Sequence, residues 1–432
     1  MKNDNPHAIQ TALFQDLHTH TEILKEAYSA SIVSVDAFQE WVYGKFKNLG
    51  IQTVYFRVDP EELNTQPAFR ATYQDSFLEE SGPKNVLCCL NPSVEEGILF
   101  YAHADKHPVT YEYGKACPQL VETTDRFLGA GIADDVSGVA AMVSALTVYL
   151  DAGFQPKKQI LLASILGKQG GVFGTYGLMR RYGPLGSAVY LHPAESGAGL
   201  NELKIASNGL VEFSIRVEGK PPESTEVHQT IFSKSAVSAV EKAIYIHQGL
   251  QKWAETQAKH HRHTALETMA GQSFAVTVGR FNSGSESEIF EIPVSCTMQG
   301  TLCFPPNARL HQVKEDFTLA LNQIAESDPW LSEGHWQLVY GDRIAESAES
   351  NPDSEFLKKS AGLVKSHTGR IPRYFYGHSM SDIRYPLLYW QAEAFGIGPL
   401  SGDLGKETEW IDRDEYFLTI AILVELMHWF AG

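Results

Sequence analysis

The chain is poor in cysteine, in long apolar runs and in positive charge, and each shortage closes off a class of function. Its five cysteines (Cys88, Cys89, Cys117, Cys296 and Cys303) are an odd and sparse set for 432 residues. They fit a reducing cytoplasm, the expected location, better than a disulfide framework. No run of roughly eighteen apolar residues occurs, and Met1–Gln10 lacks the apolar core of a signal peptide. With 35 Lys+Arg against 52 Asp+Glu the formal net charge is −17, which repels phosphate backbones and anionic lipid heads. Neither nucleic acid nor a membrane is therefore an expected partner. Also missing are a Gly-x-Ser-x-Gly elbow, a Gly-Lys-Ser/Thr phosphate loop, a Cys-x-x-Cys pair, internal repeats and low-complexity tracts.

What remains is ordinary globular composition, 43% apolar and 20% charged, with a length of two or three domains at about 150 residues each. Amphipathic spacing predicts a helix at Val35–Leu49 and another at Val136–Leu150, with a strand at Thr53–Val58. Gly97–Ala102, Gln159–Leu166 and Ser187–Leu191 are continuous apolar runs, as strands covered on both faces should be. Strands alternating with helices predict a largely parallel α/β sheet. From about residue 208 the pattern changes to alternation in Leu210–Glu218. A helix at Ser233–Gln257, strands at Ser273–Val278 and Val294–Leu302, a helix at Leu310–Ala325 and a strand at Trp336–Tyr340 complete a β-α-β-β-α-β order, the ferredoxin-like motif. The expected architecture is an α/β domain, 1–207 and 343–432, with this module inserted at 208–342 and a closing helix at Arg413–Phe430.

The sixteen histidines invite a search for metal sites. His103-Ala-Asp105-Lys-His107-Pro108 directly follows a predicted strand, so His103 should project from the carboxyl end of the sheet, where open α/β sheets bind ligands. An Asp two residues on can take the second imidazole N–H and fix the tautomer. Alone, this reads as a satisfied structural histidine. Gly129-Ala-Gly-Ile-Ala-Asp134-Asp135-Val-Ser-Gly138 puts two carboxylates at a helix start; alone, it reads as a cap. Lys259–His263 (Lys-His-His-Arg-His) reads as a solvated loop. Asp16-Leu-His18-Thr-His20 has the His-x-His form of barrel amidohydrolases, but no buried strand precedes it, so surface histidines on a first helix are expected.

Together these strings resemble the zinc-dependent exopeptidase and amidohydrolase family of acetylornithine deacetylase, succinyl-diaminopimelate desuccinylase, aminoacylase and glutamate carboxypeptidase. That family's pattern runs His-x-Asp-x-x-Pro, a Gly-rich stretch with a metal-bridging Asp, Glu-Glu, an acid before Pro and a His near the C-terminus. The resemblance extends over nearly the whole chain, because the inserted module matches the family's lid and dimerisation domain. It implies that His103 is a metal ligand, Asp105 its orienting partner and Asp134 the bridging carboxylate. It also exposes departures. Lys168 and Gln169 stand where Glu-Glu belongs, His192 replaces the acid before Pro, and Gly405 falls on the last ligand, four residues before Glu409. Phe290 replaces an Asn ahead of Pro293, while Gly377-His378-Ser-Met-Ser-Asp382 keeps the shape of a Gly-Gly-x-Asp turn.

A protonated lysine takes no proton from metal-bound water and repels the cation. The site of Asp134, Gln169 and Gly405 has lost two ligands, which leaves one zinc at His103, Asp134 and His192, or none. Glu195 is the candidate for a displaced base, and His228 lies where the family places a transition-state histidine. The implied activity is hydrolysis of N-acyl amino acids or small peptides by a homodimer joined through the lid. The alternatives are a non-catalytic descendant that binds a small ligand or a partner protein, and a structural subunit beside an active relative.

Overall fold

The computed structural model describes residues 16–59, 83–92, 94–106, 119–168, 173–193, 196–223, 226, 235–284 and 291–432. Gln169, Glu195, His228 and Phe290 lie outside the described residues. The chain forms two compact units, Met1–Ala206 with Glu349–Gly432, and Ser207–Ala348.

The first unit is a mixed α/β structure around an eight-stranded sheet. In order across the sheet its strands are Gln52–Phe56, Asn85–Leu90, Gln159–Ile165, Gly97–His103, Ser187–Tyr190, Glu393–Gly396, Glu202–Lys204 and Arg373–Phe375. The three apolar runs read from the sequence lie side by side and parallel at its centre. Gly97–His103 is buried along its whole length, which explains why it lacks alternation. The edge differs from the expected parallel pattern: Asn85–Leu90 joins both neighbours antiparallel. Its sequence, Asn-Val-Leu-Cys-Cys-Leu, is short and carries no alternation, and it was not predicted as a strand.

Helices Ser137–Asp151 and Arg413–Ala431 pack on one another and on strand Gly97–His103. Ile132–Asp151 is long and apolar enough to cross a membrane, yet 89% of that window is buried in the protein. It is a core helix: Val139, Met142, Val143 and Leu146 are all buried, each side chain contributing about 1.5–3 kcal/mol. Before the helix Val35–Asn48, Leu17–Val33 forms a helix capped by Asp16, which accepts from the Thr19 N–H. His18 is exposed there, but His20 is buried, contrary to a pair of surface histidines. Helical period puts position 20 on the face of Ile23, Leu24 and Ala27.

The second unit has a four-stranded antiparallel sheet, ordered Ala275–Ser283, Ser295–Phe304, Gly209–Glu218, Trp336–Ala345. Helices Ala239–His260 and Leu310–Glu326 pack together and against it. Connection and strand order are ferredoxin-like. Alternate residues of Gly209–Glu218 (Val211, Phe213, Ile215, Val217) are buried, as its period requires. The Lys259–His263 cluster is not an open loop. Lys259 and His260 end the long helix, where positive charge is favoured, and His263 caps the short helix Thr264–Ala270.

Candidate active site

Four chain segments bring charged and imidazole groups to the carboxyl ends of the three central strands. His103 is the last residue of its strand, Lys168 follows Gln159–Ile165, and His192 follows Ser187–Tyr190. Asp134 comes from the irregular turn Ile132–Val136, ahead of helix Ser137–Asp151. The turn is tightly fitted. A Cβ on Gly138 would lie 2.0 Å from the Leu191 carbonyl oxygen and 2.5 Å from Asp135 Oδ1, so only glycine fits. Asp135 Oδ2 accepts from the His103 backbone N–H at 3.2 Å and ties the turn to the strand.

Asp134 Oδ1 is the point of convergence. His103 Nε2 lies 2.7 Å from it without hydrogen-bond alignment, His192 Nε2 at 3.0 Å and Lys168 Nζ at 2.9 Å. His103, Asp134 and His192 are the one group among the described residues whose donor atoms could hold a metal ion, all within 4.8 Å of one another. Both imidazoles are buried. His103 Nδ1 contacts the Asp105 carbonyl oxygen at 2.6 Å and His192 Nδ1 the Pro193 carbonyl oxygen at 2.9 Å. Those contacts direct each Nε2 inward. The orienting group on His103 is therefore the Asp105 carbonyl and not, as expected, its carboxylate. Asp105 Oδ1 is 3.9 Å from Nδ1 and accepts instead from the Lys168 backbone N–H at 3.3 Å.

The electrostatics follow the lysines. Burial, reinforced by Lys168 and Lys204, holds His192 well below the ordinary imidazole range. Burial, with Lys204 and Lys168, does the same to His378, whose ring meets His192 edge-on at 6.0 Å. Burial and Lys168 act to lower His103, but Asp134 and Asp135 outweigh them and leave it raised. Burial acts to raise the Asp134 carboxyl, yet Lys168, His103 and His192 hold it well below the usual carboxylate range. Asp135, buried beside it, is pushed well above that range.

The three donors suit a divalent ion, but Lys168 already puts a cation among them. Its Nζ lies 2.9 Å from Asp134 Oδ1 and 2.6 Å from His192 Nε2. At an effective dielectric of about 20, an ammonium and a divalent ion about 3 Å apart repel by roughly 10 kcal/mol, comparable to the whole binding free energy of a structural zinc. With Lys168 in this position the set does not fit a metal.

The second site of the family pattern has no ligand at Gly405. The space beyond this residue is open to any Cβ, its φ is +75°, and its N–H donates to Glu409 Oε2 at 2.8 Å. Glu409 Oε1 accepts from Ala133 and Asp134 N–H groups at 2.7 and 3.0 Å and so fixes the backbone carrying Asp134. Asp382, kept from the family turn, is buried and accepts from Thr175 Oγ1 at 2.8 Å. Sequence reasoning missed Lys204, which is fully buried with Nζ 3.1 Å from His192 Nδ1 and 5.5 Å from the Tyr190 ring centre. The available signal was a charged residue between Leu203 and Ile205 in an apolar segment.

The profile of Peptidase family M28 matches residues 85–209, the stretch that carries His103, Asp134, Lys168 and His192. No curated protein matches the sequence. The fold is similar to the crystal structure of aminopeptidase PepT from Bacillus cereus ATCC 10987, with a TM-score of 0.68, 15% identity, and coverage of 97% of this chain and 98% of that one. It is also similar to the dipeptidase Dug1p from Saccharomyces cerevisiae, with a TM-score of 0.67, 11% identity, and coverage of 99% and 98%. A third structure is the YXEP protein of Bacillus subtilis, a dinuclear metal binding peptidase of the M20 family (TM-score 0.61, 11% identity, 96% and 98% covered). At such identities the likeness establishes the fold: this chain has the architecture of these peptidases along nearly its whole length.

Proposed function

We propose that this chain is a peptidase-fold protein that binds a small peptide or an N-acyl amino acid without hydrolysing it by the metal–glutamate route. The observation that carries the reading is the ammonium of Lys168, 2.9 Å from Asp134 and 2.6 Å from His192. A general base must accept a proton within hydrogen-bond reach of the attacking water, and a protonated lysine there can only donate. The residues that remain hold charge rather than move it. Lys168 neutralises Asp134, and His192 stays uncharged. The ligand class is supported by the peptidase fold. The sparse, odd set of five cysteines is what supports a cytoplasmic location. Pairing of two copies through the 208–342 module belongs to the same proposal, and a monomer in sedimentation would remove it.

Convergence of His103, Asp134 and His192 favours a second reading, a hydrolase with one metal and a displaced base such as Glu195, with His228 assisting. The experiment separates the two. The purified chain is incubated with dipeptides, tripeptides and N-acyl amino acids plus Zn²⁺, Mn²⁺ or Co²⁺, and binding is followed in parallel by calorimetry. Binding without turnover is the expected result. Turnover abolished by His103→Ala would establish the hydrolase and end the first reading.

A further inference from the structure

The charge that a metal supplies in such a site is here carried by the protein itself. We infer that the Lys168 ammonium is the resident cation of the His103–Asp134–His192 cluster, so that the wild-type chain keeps the cluster closed to zinc and loss of Lys168 opens it. The inference extends the preceding reading but stands on its own geometry.

Two contacts place the ammonium. Nζ is within hydrogen-bond distance of an imidazole nitrogen and a carboxylate oxygen, which are themselves 3.0 Å apart. A cation beside both offsets the charge of Asp134, and Lys168 places one there. His192 stands between two lysines, with Lys168 Nζ 2.6 Å from Nε2 and Lys204 Nζ 3.1 Å from Nδ1. The start of the lysine is pinned as well, since its backbone N–H donates to Asp105 Oδ1. His103 Nε2, buried, lies 2.7 Å from the same Asp134 Oδ1. Removing Lys168 therefore leaves three inward donors of the N/O type that zinc accepts.

The test uses the full chain, stripped with chelator and dialysed, as wild type, K168M, K168Q and K168M/H103A. Each is titrated with zinc chloride by calorimetry and with cobalt chloride by absorption spectroscopy. The wild type is expected to take up no zinc tightly. K168M is expected to bind one equivalent, tighter by at least about a hundredfold, with the cobalt bands of a four-coordinate site, and K168M/H103A to lose both. K168Q keeps a donor toward Asp134 but no charge; it should also bind, and it stands in if K168M does not fold. One equivalent of zinc held by the wild type as tightly as by either variant overturns the inference, as do folded K168M and K168Q that take up none. Peptide turnover by zinc-free wild type would instead end the non-hydrolytic reading and leave Lys168 as the resident cation. Zinc uptake by wild type without turnover would do the reverse.

Discussion

Replacing Glu409 with alanine should destabilise the first unit more than loss of its charge would suggest. Glu409 is 1% exposed and accepts from three backbone N–H groups, those of Ala133, Asp134 and Gly405, at 2.7, 3.0 and 2.8 Å. A hydrogen bond to a charged group contributes about 1.5–3 kcal/mol, but three on one carboxylate do not add, and water will answer some of the stranded donors. Glu409→Ala is therefore expected to cost about 3–5 kcal/mol. At roughly 2 °C per kcal/mol for a unit of this size, that lowers Tm by about 6–10 °C in thermal unfolding followed by circular dichroism. Glu409→Gln isolates the charge. Burial pushes the Glu409 carboxyl above its ordinary value of 4.5 against the pull of the three N–H donors, so ionising it in the folded protein is itself unfavourable. Glutamine keeps an acceptor toward Ala133 and Asp134 and gives up only the Gly405 contact, so its cost should stay at about 1–2 kcal/mol. The sign of the pH dependence follows. A carboxyl raised on folding contributes fully below about pH 4.5 and loses that contribution as pH rises through its folded value. Glu409→Gln should therefore gain on the parent as pH rises from about 4.5 through the folded value. An alanine variant within about 2 °C of the parent, or a glutamine variant as damaged as the alanine one, would refute the argument.

Two further predictions concern charge elsewhere. His367 Nε2 and Glu425 Oε1 lie 2.9 Å apart with side chains only 2% and 5% exposed. His367→Ala strands a buried carboxyl and should cost about 3–5 kcal/mol, whereas the double change His367→Phe with Glu425→Leu should recover most of it; equal Tm losses in the two would show packing, not charge, to be the cause. In the second unit, Asp328 pairs with Lys242 at 2.6 Å and accepts from the Trp330 and Leu331 N–H groups at 3.0 and 3.1 Å. Burial acts to raise it, but these partners hold it below 3.8, so its contribution is present above that pH and lost as pH falls through the lowered folded value. Asp328→Asn should cost about 1–2 kcal/mol at pH 7, discounted for partial solvent access, and nothing in strong acid; a difference in urea denaturation that persists in strong acid would contradict this.

How much the sequence could say depended on whether an element was specified by its own pattern or by its neighbours. Gly97–His103 and Gln159–Ile165 were legible because burial on both faces demands continuous apolar residues. Gly209–Glu218 was legible because one wet face demands alternation. Asn85–Leu90 has neither signature strongly enough, and its direction is set by its partners Gln52–Phe56 and Gln159–Ile165. In the site, the identity of each departing residue could be read, but not its reach. Lys168 could be seen to replace an acid. Only the fold shows its ammonium between Asp134 and His192. Likewise Gly405 was visible as a missing ligand, while its role as a donor to Glu409 depends on contact with the turn around Asp134.

Taken against the exopeptidase pattern, the departures balance one another in charge. Lys168 in place of a Glu adds two positive units; Gln169 and His192 in place of acids add one each. The total of four equals the charge of two divalent ions. Gly405 in place of a neutral His changes nothing in this account. Had the metals been lost with every acid retained, Asp134 would face several buried carboxylates with no cation, which is costly in a low-dielectric interior. Had Lys168 arrived with the metals retained, its ammonium would meet them at contact distance. Substitutions that leave the net charge of the site unchanged are what an exchange of metal cations for a protein cation requires. On the proposed reading Lys168 replaces metal charge, and the buried Lys204 beside His192 adds a further cation. On the family pattern, reversing only one member of the set should accordingly be worse than reversing none: Gln169→Glu alone adds an acid without a cation, and thermal unfolding should show a lowered Tm.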